Sequence, residues 1–109
     1  MKYKRIKVPI YLTDIIVIET IDYKDVNEYF CINIDNNLYD AVVFEDKRDN
    51  IILAIKNKKQ HIIVHEIVHI VNIIFKKCLI RLDLENDEPQ AYLTGYIFKE
   101  INKILDYEK

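Results

Sequence analysis

The residues of this chain whose types and spacing could do chemistry are His65-Glu66-Ile67-Val68-His69. Residues i and i+4 of a helix lie one turn apart on one face, so two imidazoles at this spacing can grip one metal ion. Zinc takes imidazole nitrogens at roughly 2.0–2.1 Å. Glu66 is rotated about 100° around the helix from His65, so it flanks the metal without becoming a ligand. Zinc lowers the pKa of a bound water to roughly 7, and Glu66 is placed to take its proton as general base during attack on a carbonyl. The bland alternative is a pair of core histidines satisfied internally. Against it, burying His, Glu and His in a nearly apolar helix without a metal or partners would cost roughly several kcal/mol. Zinc is therefore the expected cofactor.

A catalytic zinc keeps three protein ligands and one open position. His61 lies one turn before His65, and three successive turns cannot converge on one ion. Glu88 is the better third ligand. Eighteen residues separate it from His69, enough for the rest of one helix, a reversal and a return. Glu85 and Asp87 are the fallbacks. Ala91 and Gly95 follow Glu88 on nearly the same stripe and would let the second helix approach the first closely. Tyr92, one turn after Glu88, is a candidate to bond a ligand or to donate to the developing oxyanion, with Tyr96 next in line. An ordinary core or surface role is an equal alternative for each tyrosine.

The elements that must position these groups follow from patterning. Tyr3 to Leu12 reads as an edge strand carrying Pro9, and Ile15 to Ile21 as a strand paired back on it. Asp25 to Phe30 suggests a short helix. Leu38 to Glu45 and Ile51 to Ile55 flank a polar turn and form the clearest hairpin. A helix is expected from an Asn57 cap to about Lys77, with cations in its last turn. A second runs from Asp87 to about Leu105, with Asp87 and Gln90 as a capping box and Pro89 in the first turn. Strands followed by helices indicate an α+β fold: a small antiparallel or mixed sheet packed against two long C-terminal helices.

The 109 residues suit a single domain, 1–109, and the half that are hydrophobic suit a real core. A net charge of −2 gives no basic surplus for nucleic acid or a membrane surface. The run Lys2, Lys4, Arg5, Lys7 alternates with apolar residues and reads as an exposed strand edge. Cys31 and Cys78 have no short spacing, so neither a disulfide framework nor a zinc ribbon is expected, and both read as buried, reduced thiols of a cytoplasmic protein. The N-terminus lacks the pattern of a signal peptide. The apolar stretch Ile62 to Phe75 is too short and too polar to span a bilayer. A peptide or protein substrate is the partner these features leave; they do not address oligomeric state.

The pattern His65-Glu66-x-x-His69 followed by Glu88 resembles the gluzincin metallopeptidases, in which a downstream helix supplies a glutamate ligand. Glu88-Pro89-Gln90-Ala91-Tyr92 resembles a stretch on that helix in minimal members of the group. The wider run looks most like small zincin-like proteins encoded by phages and prophages. The specific match covers about Gln60 to Ile104. It implies His65, His69 and Glu88 as zinc ligands, Glu66 as base, and hydrolysis of a peptide bond. A non-catalytic, zinc-stabilised binding or structural module is the other function such a scaffold could serve. The chain departs from the pattern at Tyr92, where many gluzincins carry Asp, and it lacks the length of the second lobe found in larger members.

Overall fold

In the computed structural model, which describes residues 2–105, strands β1 (Tyr3–Val8), β2 (Thr13–Glu19), β3 (Ala41–Glu45) and β4 (Ile51–Ile55) form one sheet in the order β1-β2-β4-β3. The helices are α1 (Lys24–Phe30), α2 (Gln60–Lys77) and α3 (Glu88–Ile104). β1 pairs antiparallel with β2, and β3 with β4, while β2 and β4 run parallel. The sheet is therefore mixed, and the fold is α+β.

The apolar content of each strand sets its place. Ile15 to Ile18 and all of Ile51 to Ile55 are buried, as continuous apolar runs must be when both faces of a strand are covered. Only Ile6 and Val8 of β1 are buried, which suits an edge whose lysines and arginine face water. Alternation then sorts the central residues between two layers. Ile15, Val17, Ile51, Leu53 and Ile55 join the core under α2 and α3. Ile16, Ile18, Ile52 and Ala54 pack with Tyr23 and Val26 on the α1 side. Helices thus lie on both faces of the sheet. Ile63, Ile67, Ile70, Val71 and Ile74 form the inward stripe of α2, and Leu93, Ile97 and Ile101 that of α3. Burying each such side chain contributes about 1.5–3 kcal/mol.

Side-chain hydrogen bonds fix the long connection into β3. The Asn27 amide reads both backbone groups of Ile34: Nδ2 donates to its carbonyl at 3.1 Å and Oδ1 accepts from its N–H at 2.8 Å. The Tyr23 N–H donates to Asn36 Oδ1 at 2.9 Å, and the Tyr23 hydroxyl donates to the Tyr39 carbonyl at 3.0 Å. In the β3–β4 turn, Asp46 accepts from the N–H groups of Arg48 and Asn50 and from the Asn50 amide. Burial raises its carboxyl, but these bonds and the nearby Arg48 charge more than offset that and hold it below the usual carboxylate range.

Several local expectations are corrected. β1 stops at Val8 because Pro9 cannot donate to a ladder, and a turn follows in which Ile10 and Leu12 adopt φ of 72° and 51°. β3 begins at Ala41, not Leu38. Asn57 does not cap α2; its Oδ1 accepts from the Lys59 N–H at 3.1 Å, and Lys59, which has no acceptor to offer, occupies the N-cap. Asp87 is the N-cap of α3 but makes no side-chain cap bond. Its ψ of 10° lies outside the extended region from which a cap side chain reaches back. Both cysteines are exposed, not buried, because each falls at a helix C-terminus and not on an inward stripe. Gly95 has no packing role: a Cβ there would meet nothing within 4 Å. The face of α3 that meets the core is the one carrying Leu93 and Ile97, a quarter turn or more away.

Candidate metal centre and groove

The inward stripe of α2 decides where the reactive residues point. With Ile63, Ile67, Ile70 and Ile74 on the sheet, residues 65, 69, 72 and 76 follow one another along the outer face at spacings of four, three and four. His65 and His69 are exposed, so the expected burial of both histidines is not found and its cost falls on Glu66 alone, which lies 100° further round, buried at 8% exposure on the flank toward β3.

The two rings stand with centroids 5.0 Å apart and planes at 73°. Their Nε2 atoms are 3.3 Å apart. Two nitrogens bonded to one zinc at roughly 2.0–2.1 Å and a tetrahedral angle lie about 3.3–3.4 Å from each other. The pair therefore has the separation that a shared ion requires. One neutral imidazole donating to the other satisfies the same contact. Burial pushes the Glu66 carboxyl above the usual range, while His65 and then His69 pull it down by a smaller amount.

A groove of about 780 Å³ runs between this face of α2 and β3. His65, Glu66, His69, Asn72, Ile73 and Lys76 form one wall. Five consecutive residues, Ala41 to Glu45, form the other, so the wall is the strand's own backbone edge. Among the described residues, β3 is the last strand of the sheet and is paired only on its β4 side. Ile32, Asn33, Ile34 and Tyr39 extend that wall, held there by Asn27 and Tyr23.

The other expected residues lie elsewhere. Glu88 is exposed at the start of α3, in a separate recess with Ala91, Tyr92, Gly95, Tyr96 and Lys99. Tyr92 is 75% exposed there. The Tyr96 hydroxyl donates to the Lys7 carbonyl at 3.2 Å, which ties α3 to β1. His61, Glu85 and Asp87 are exposed. Among the described residues, no group of three or more His, Cys, Asp or Glu side chains is gathered to hold a metal ion. The structure thus brings together His65, Glu66 and His69 and does not bring Glu88 or Tyr92 to them.

Sequence reasoning missed the rest of the groove. Asn72 and Lys76 were within its reach, because helical spacing from His69 puts them on the same face. Nothing in the sequence announced that residues 32–34 and 39 would stand opposite.

No helix among the described residues is long and apolar enough to cross a membrane. No protein-family model, curated protein or solved structure matches the chain.

Proposed function

We propose that this protein is a zinc-dependent hydrolase of peptide bonds, whose substrate lies extended along β3. The observation that carries the reading is the 3.3 Å approach of the His65 and His69 Nε2 atoms, in a groove that also holds the buried Glu66 and an unpaired strand edge. His65 and His69 would hold the ion, with Glu88 as third ligand. Every residue from Lys76 to Pro89 is exposed, so little buried surface fixes where the first turn of α3 sits.

A zinc ion bound there would polarise the scissile carbonyl and make water nucleophilic near neutral pH. The chain's own residues do the remainder. The edge of β3 offers backbone N–H and C=O groups to an added strand, which fixes the substrate's register by main-chain hydrogen bonds. Ile34, Val43 and Ile73 line the groove with apolar surface and displace water around the reacting bond. A Glu66 carboxylate oxygen takes the proton from the attacking water as oxygen bonds to the carbonyl carbon. It then gives that proton to the amine nitrogen as the carbon–nitrogen bond breaks.

The competing reading is a zinc-stabilised binding module without turnover. Metal content and peptide hydrolysis of the wild type, His65→Ala, Glu88→Ala and Glu66→Gln separate the two. The hydrolase reading expects zinc in the wild type, its loss in His65→Ala and weakened retention in Glu88→Ala. It also expects Glu66→Gln to keep zinc and lose turnover. Zinc-loaded wild type that cleaves no peptide leaves the module.

A further inference from the structure

The groove has an electrostatic asymmetry along its length. Lys76 closes its far end and, among the described residues, makes no ion pair or hydrogen bond. The neighbouring carboxylate, Glu45, is already engaged by Lys77 Nζ at 3.4 Å, and Lys77 also donates to the Asp49 carbonyl. Lys76, Lys77 and Glu45 together leave one positive charge, carried by Lys76.

Direction and distance give this charge a meaning. Ala41 is paired with Ile55, five residues before α2 begins at Gln60, and Lys77 at the end of α2 reaches Glu45 at the end of β3, so the helix and the strand run the same way. A peptide added antiparallel to β3, the more stable pairing per residue, enters with its N-terminal part beside Glu45 and Lys76. Lys76 lies seven residues beyond His69, about 10.5 Å along the helix axis. An extended peptide covers that distance in about three residues.

Resting on the hydrolase reading, we infer that Lys76 is a specificity residue that selects substrates with an acidic side chain about three residues N-terminal to the cleaved bond. Lys76 touches none of the reacting atoms; it recognises the substrate's charge. A solvent-exposed ion pair of this kind changes preference by roughly two- to fivefold, and its effect falls as salt is raised.

The test uses the zinc-loaded full chain, a peptide mixture of varied sequence, and mass spectrometry of the cleaved ends. The wild type should enrich Asp and Glu about three positions before the cut. Lys76→Gln should lose that enrichment, and Lys76→Glu should replace it with Lys and Arg. A second readout needs no turnover: fluorescence anisotropy of the best-cleaved peptide on Glu66→Gln protein. There, replacing the peptide's acid by lysine should weaken binding, and Lys76→Glu should reverse the order. Cleavage with no acidic preference, or with a profile that Lys76→Glu leaves unchanged, overturns this inference and leaves the hydrolase standing. A wild type that holds zinc and cleaves nothing overturns both.

Discussion

Replacing Tyr23 by phenylalanine should produce a stability difference that narrows as pH rises and closes or reverses in strong alkali. Tyr23 is fully buried, and its hydroxyl donates to the Tyr39 carbonyl at 3.0 Å, fixing the segment that walls the groove. Burial, with smaller contributions from Asp40 and Glu66, pushes its pKa from 10.0 up to about 12. At pH 8, Tyr23→Phe removes the bond and leaves a carbonyl short of a donor, a loss of about 1–2 kcal/mol. The folded state holds the Tyr23 proton more tightly than the unfolded chain. Stability from this group is therefore complete below pH 10 and drains away as pH rises toward 12. By pH 11.5 the wild type should have lost about 2 kcal/mol through this residue, while the phenylalanine variant loses none. All other groups are common to both proteins and cancel in the difference. Urea unfolding followed by circular dichroism at pH 8, 10 and 11.5 measures the gap. It should close or reverse by pH 11.5. A gap that stays constant across this range would refute the assignment of a tightly held hydroxyl proton to Tyr23.

Three further outcomes are expected. Gly95→Ala should stabilise the protein by about 1 kcal/mol in thermal or urea unfolding, because the added Cβ meets nothing within 4 Å; a loss would mean that α3 is more crowded than its surroundings indicate. Lys59→Asp should add about 1 kcal/mol, since the extended backbone at this N-cap, with ψ of 138°, already suits a side chain that accepts from the first turn of α2. An unchanged melting temperature would count against that geometry. Zinc at a hundredfold excess over its Kd should raise the melting temperature by on the order of 10–20 °C in the wild type and not in His65→Ala; equal shifts in both would place the ion away from the histidine pair.

The chain's own order of residue types determined a good deal. Uninterrupted apolar runs in β2 and β4 required central strands buried on both faces, and the scattered pattern of β1 required an edge. The 3.6-residue period of Ile63, Ile67, Ile70 and Ile74 set which face of α2 meets the sheet. That alone put His65 and His69 on one outward face and turned Glu66 into a buried flank. Spacing of this kind is local, so a linear sequence carries it. Other features were legible only after folding. Whether β2 lies beside β1, β4 or both depends on which surfaces bury best together, and the parallel β2–β4 pair follows from that competition. The caps failed although Asp87 and Asn57 are the right residue types: the backbone angles of Asp87 keep its side chain from the first turn, and Asn57 lies two residues before the N-cap, where its side chain accepts from the Lys59 N–H. The position of Glu88 is the sharpest case. Its type and distance from His69 allow a meeting with the histidines, but the packing of Leu93, Ile97 and Ile101 sets the body of α3, and no buried contact draws its exposed first turn toward them. The opposite wall of the groove was decided in the same way, by Tyr23 and Asn27 holding a segment whose own residues announce no structure.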